Sequence, residues 1–188
     1  MSTQLPPAPD FASLDVAAFT TADSRTEILA LIGNLAFSWS NNESMFIYVI
    51  MLLLRCDEPA AAVIFSTLNT TRARIDLVQR LAALRLGNKK LADELAQLIE
   101  RFNALTRLRN EFNHATFEID QKGEIVRTHS LRIVERKGKI RFGESRKLDA
   151  RRKQELARAA GELRDLNRAI WQFLPRLQTY MTGTPDSG

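Results

Sequence analysis

Cysteine occurs once in the 188 residues, at Cys56, so no internal disulfide can form and no zinc site of cysteine ligands can be built within one chain. Histidine occurs only at His114 and His129. The longest uninterrupted apolar run, Met45 to Leu54, falls well short of the ~20 residues a spanning helix needs. No charged segment followed by an apolar one opens the chain in the manner of a signal peptide. No internal repeat and no nucleophile elbow is present, and Cys56 lies far from either histidine in sequence. These absences lead to the expectation of a soluble, cytoplasmic protein without membrane association, with Cys56 as an inert core thiol.

What is present is the composition of a globular domain: 45% hydrophobic and 26% charged, enough chain for one well-buried core and marginal for two. The net charge of +5 is unevenly spread. From Gln121 to Ala160 there are 13 basic residues against 5 acidic, a net of +8, and the rest of the chain carries 14 against 17, a net of −3. Clustered Lys and Arg gain by releasing counterions condensed on a polyanion, which makes the window a candidate phosphate-binding surface. A solvated, solubilising face has the same composition, and both readings stay open.

The spacing of apolar residues predicts mostly helix. Ile28, Ile32, Leu35, Trp39, Phe46, Ile50 and Leu53 recur mainly at three and four, giving a long helix from Ser24 to Arg55, with Gly33 as a point of bending. Its second half is apolar all round and should be the central helix. Asp57-Glu58-Pro59 starts a short helix, a second runs from about Thr71 to Arg85, and Gly87-Asn88 breaks the chain. Leu91, Leu95, Leu98, Phe102, Leu105 and Phe112 then mark another long amphipathic helix. Next the period changes to two, at Phe117 and Ile119, Leu131 and Ile133, Ile140 and Phe142. Turn signals at Gln121-Lys122-Gly123 and Arg136-Lys137-Gly138-Lys139 make this a three-stranded antiparallel meander. Asp149 can cap a last helix, kinked or ended at Pro175. The expected fold is mainly α: an antiparallel helical bundle over 23–182, with a small three-stranded β insertion at about 116–143 before the final helix. Residues 1–22, with Pro6, Pro7 and Pro9, read as an extended tail and 183–188 as a frayed end.

One seam of the second long helix steps 91, 95, 98, 102, 105, 109, 112, and every member is apolar except Arg109. A guanidinium facing a core must be paired or line a cleft, because an unpaired buried charge costs several kcal/mol. At about 100° per residue, Asn113, Asn110 and His114 follow Arg109 at roughly 40°, 100° and 140°, forming one polar arc. The first long helix has a matching break at Asn42 and Glu43, which makes Glu43 a candidate anchor for Arg109. A buried Arg-Glu pair of purely structural role is the competing reading.

Arg109-Asn110-Glu111-Phe112-Asn113-His114 resembles the Arg-polar-x-x-x-His motif of the HEPN superfamily, all-helical nucleases and toxins. The resemblance covers the bundle, about Ser24 to Ala115 and Asp149 to Met181, and neither the tail nor the meander. It implies a homodimer in which paired motif helices form a metal-independent ribonuclease site, without cofactor. His114 would be the general acid or base, Arg109 would stabilise the charged phosphorane, and Asn110 would orient the arginine or the phosphate. Asn113 and Glu43 would support them. Arg136, Lys137, Lys139, Arg141, Arg146 and Lys147 of the basic window would grip RNA. One departure is Ala115, where many family members carry glycine after the histidine. The family also includes members that bind RNA, a nucleotide or a protein partner without cleaving anything, and a toxin would have a cognate antitoxin. Glu111-x-x-His114 also spells a di-metal carboxylate ligand pair, but such a site needs two of these, and His129 has Val126 three residues before it.

Overall fold

Helix starts in this chain are written in short polar side chains. Asp57 Oδ1 accepts the Ala60 backbone N–H at 3.0 Å, with Pro59 in the first turn. Thr70 Oγ1 accepts from Ala73 at 3.1 Å, Asn88 Oδ1 from Leu91 at 3.2 Å, and Asp149 Oδ1 from Arg152 at 2.9 Å. Each such cap contributes about 1 kcal/mol. They open four of the five helices among the described residues: α1 (Ser24–Leu54), α2 (Glu58–Thr67), α3 (Thr71–Arg85), α4 (Lys89–Asn113) and α5 (Ala150–Thr182). The structure, a computed structural model, describes residues 24–120, 124–130, 133–136 and 139–183, the segments 133–136 and 139–142 by their backbone alone. The expected tail over 1–22 and the residues beyond 183 lie outside this set.

α1 runs unbroken through Gly33 and ends on Arg55, whose φ of 55° is left-handed. The Cys56 N–H reaches back to Met51 O at 3.2 Å, closing the helix in the manner usually served by glycine. α5 likewise runs through Pro175 to Thr182, so that proline does not end it.

The chain divides into two compact units. The first comprises Ser40–Phe102 and residues 165–183, the second residues 24–39 and Asn103–Arg164. In the first, every residue from Phe46 to Leu54 is buried or half-buried, as expected for a central helix. Phe46 meets Phe102 edge-on, with ring centroids 5.4 Å apart. Arg176 pairs with Glu94, and the Gly87 N–H donates to Tyr180 Oη at 3.0 Å. In the second, Ile28, Leu35 and Trp39 of α1, Leu105 and Phe112 of α4, and Leu156 and Leu163 of α5 are all buried.

The second unit also carries the β structure, and its strands differ from those expected. β1 (Ala115–Ile119), β2 (Ile125–Ser130) and β5 (Ser145–Lys147) form the three-stranded antiparallel sheet, in the order β1-β2-β5. β3 (Ile133–Arg136) and β4 (Lys139–Phe142) form a separate two-stranded hairpin. The turns expected at Gln121-Lys122-Gly123 and Lys137-Gly138, and Leu131, lie outside the described residues, while β3 and β4 pair from Arg136–Lys139 outward. Two strands escaped the period-two reading because they bury so little: β2 hides only Ile125 and Thr128, and β5 is exposed throughout. Ser130 and Gly143 bracket the hairpin. The Ser130 N–H donates to Glu144 O at 3.1 Å, Gly143 adopts φ 43°, and a Cβ there would lie 1.7 Å from Ser130 O.

Two glycine substitutions should therefore act in opposite directions. Gly143→Ala forces the strand ends apart and should lower the unfolding free energy by about 2–3 kcal/mol. Gly33→Ala places a methyl where nothing lies within 4 Å, inside a helix, and should raise it by up to about 1 kcal/mol. Urea denaturation of both variants measures the contrast.

Candidate functional site

The polar arc on α4 assembles around Arg109. Its guanidinium lies over the Trp39 ring, with Cζ 3.9 Å from the ring centroid, an arrangement in which the aromatic quadrupole attracts the cation. Nη1 donates to Asn110 Oδ1 at 2.9 Å. With the Asn113 amide turned so that its oxygen faces the guanidinium, that oxygen accepts from Nε and Nη2 at 3.1 Å each. Trp39 is itself fixed: only 2% exposed, it donates from Nε1 to Thr106 Oγ1 at 3.0 Å, one turn before Arg109. A planar cation lying on an aromatic face and bonded to two amide oxygens is held in orientation.

His114 follows the last residue of α4. Its backbone N–H continues the helical pattern to Asn110 O at 3.1 Å, and its imidazole is exposed, with no hydrogen bond to the described residues. Arg109, Asn110 and Asn113 are thus brought into one cluster, with His114 at the adjoining helix end. Glu43, expected as an anchor for Arg109, is engaged elsewhere. Its Oε2 receives Arg74 Nη1 at 3.0 Å, and its buried Oε1 has no hydrogen-bond partner. Arg74 also donates from Nε to the Phe65 and Leu68 carbonyls and lies over the Phe65 ring, so this pair closes the α2–α3 turn.

The basic window is partly spent on internal pairing. Arg152, 7% exposed, reaches Glu111 through Nη2 and Glu155 through Nη1, and its Cζ lies 4.9 Å from the Phe112 ring centroid. Arg146 bonds Glu144 at 3.0 Å and Glu111 at 3.3 Å. The bonded Glu144 carboxylate, with Glu111 beside it, pushes the Arg146 guanidinium above the ordinary arginine value, so it stays charged at any working pH. Lys153 pairs with Glu27 at 2.6 Å. Of the residues expected to grip RNA, Arg146 therefore belongs to a network, and Lys147 is exposed on β5. Arg136, Lys139 and Arg141 lie on the hairpin strands, described by backbone only, and Lys137 lies outside the described residues. Opposite Lys147 in the sheet register is Arg127, also exposed, and next along β2 on the same face is His129, 3.1 Å from Glu118.

The apolar spacing of the first long helix placed Trp39 on its core face, and the structure makes it both a buried residue and the platform under Arg109. The signal was available: Trp39 stands next to the polar break in its own seam, where a lone arginine in a facing seam needs a flat apolar partner. Arg152 left no such mark, because a basic residue inside a basic run looks like every other. Glu111, the carboxylate of the Glu-x-x-His pair, is held by two guanidinium groups, and no group of three or more metal-ligating side chains occurs among the described residues. No helix among them is long and apolar enough to cross a membrane. Burial pushes the Cys56 thiol up, and Asp57 nearby adds to the shift.

Removing Arg152 leaves two carboxylates facing each other around a buried gap. Arg152→Ala should lower stability by about 2–4 kcal/mol, and Arg152→Met, which keeps the packing over Phe112, by less, as measured by thermal and urea unfolding. The raised Cys56 pKa means little thiolate at neutral pH. Its alkylation by iodoacetamide should be slower than that of a free cysteine peptide at pH 7.5, the gap narrowing as pH climbs past 9.

Compared with protein-family models, with curated proteins and with solved structures, the chain matches none.

Proposed function

We propose that this chain is a HEPN-like, metal-independent endoribonuclease that works as a cytoplasmic homodimer, in the manner of a toxin or defence protein. The observation that carries the proposal is the seating of Arg109 on Trp39 between the Asn110 and Asn113 amides, beside an exposed His114. RNA supplies its own nucleophile. His114 takes the proton of the ribose 2′-hydroxyl as its oxygen attacks the adjacent phosphorus, and the imidazole of the second chain gives a proton to the departing 5′-oxygen. The products are a 2′,3′-cyclic phosphate and a free 5′-hydroxyl. Arg109 meets the extra negative charge of the phosphorane with planar, paired donors, and the two amides keep that fork aimed. Imidazole suits both proton transfers because it exchanges protons near neutral pH. Lys147 and Arg127, with the hairpin cations Arg136, Lys137, Lys139 and Arg141, hold the phosphate backbone.

A second reading is favoured by one observation. Among the described residues the His114 ring has no hydrogen bond to set its tautomer, whereas a catalytic imidazole is usually oriented by a partner. The same cluster would then serve a non-catalytic HEPN-like module that dimerises and binds RNA, a nucleotide or a protein partner, an antitoxin among them.

Incubation of mixed RNA with the protein in EDTA separates the two. Cleavage is expected with cyclic phosphate ends, His114→Ala lowering the rate by ~10²–10⁴-fold and Arg109→Ala by ~10²–10³-fold. Cleavage equal in wild type and His114→Ala, or in neither, overturns the nuclease assignment for that substrate. Retained RNA binding without cleavage selects the second reading.

A further inference from the structure

From Ile28 to Asn42 the sequence contains fifteen consecutive residues without a charge, although 26% of the chain is charged. These residues lie in a helix whose inward side is filled by Ile28, Leu35 and Trp39. Its outward side, within the second unit, is formed by Leu29, Gly33 and Phe37, all exposed. Leu29 is 52% and Phe37 55% exposed. Single exposed apolar residues are ordinary on a protein surface, and Val63 and Leu84 are of that kind here. A row of two large ones on an uncharged helix face is not, because loss of charge marks the centre of protein interfaces.

The row is also symmetric about its middle. Leu29 and Phe37 stand four residues to either side of Gly33, and Ala30 and Ala36 three to either side. An isologous contact requires a patch complementary to itself, with residue i meeting j while j meets i. If two α1 helices cross antiparallel at Gly33, Leu29 of each copy falls on Phe37 of the other, alanine falls on alanine, and the axis passes between two glycines. Gly33 has nothing within 4 Å of where its Cβ would be, so two backbones can approach closely there. The charge pattern agrees, since neither copy brings a charged residue to be stripped of water.

We infer that the Leu29–Gly33–Phe37 face of α1 is a two-fold self-association surface whose occupant is a second copy of this chain. Trp39, the platform for Arg109, projects about 200° around the helix from Phe37. The face is therefore distinct from the motif residues, and the inference stands whether or not the chain cleaves RNA. A helix face of about 22 Å by 10 Å is small beside the ~800 Å² per partner of a standard interface, so the association is weak and concentration-dependent.

Cross-linking at the axis tests this. In a glutathione redox buffer at tens of micromolar protein, Gly33→Cys should form at least tenfold more covalent dimer than Leu84→Cys, an exposed position away from the row. The wild type, with Cys56 alone, sets the background. Adding Phe37→Glu to Gly33→Cys should lower the yield at least tenfold, because it places a charge at both ends of the contact. Equal yields from Gly33→Cys and Leu84→Cys, or a Gly33→Cys yield insensitive to Phe37→Glu, overturn the inference. RNA cleavage by the Phe37→Glu protein is measured in parallel, and its persistence or loss bears only on the nuclease assignment.

Discussion

A guanidinium shut away from water has to be matched in charge and geometry, and Arg152 is the point at which this chain meets that demand. It sits in the first turn of α5, takes Glu111 from α4 and Glu155 from its own helix, and covers Phe112. Glu111 in turn receives Arg146 beside β5. One buried cation thus ties together the end of α4, the start of α5 and the edge of the sheet. The residues that orient Arg109 and present His114 are interleaved with the anchored ones: Glu111 and Phe112 face the network while Asn110, Asn113 and His114 face away. The geometry of the candidate site is a consequence of how its neighbours along the same helical turns are held.

Arg109 and Arg152 show two solutions to one problem. Arg152 is neutralised by carboxylates and lost to solvent. Arg109 is given an aromatic face and amide acceptors, which fix its direction. A guanidinium already saturated by carboxylate, as at Arg152, has little left to give an incoming anion. The basic window is divided as well. Part of its charge stabilises the fold from within, and Arg127, Lys147, Arg151 and Arg158 are exposed.

The long helices were legible in the sequence from their apolar stripes, and the starts at Asp57 and Asp149 from their capping side chains; the caps at Thr70 and Asn88 are seen only in the structure. Pro175 does not stop its helix, because a long helix tolerates one missing N–H. The strands were half legible. β1 and β4 carry alternating apolar residues, whereas β2 is apolar only at Ile125 and Val126 and β5 is wholly polar, so no side-chain period announces them. At the candidate site, the polar arc on α4 followed from helical geometry alone. What covers it did not, because seams on separate helices do not reveal which residues face one another: Glu43 looked like the partner of Arg109, and the facing residue is Trp39.

The close approach of Gly143 to Ser130 means that the chain leaves the sheet and re-enters it at almost one point. Everything between, including the β3–β4 hairpin and four of the cations assigned to RNA, is an excursion whose ends already touch. Closing such a loop costs nearly the same whether it is long or short. Its length and charge can therefore drift across evolution while the sheet, Arg152 and the α4 terminus stay as they are. The fold has separated the element that would select a nucleic acid from the element that would act on it, so that each can be changed alone.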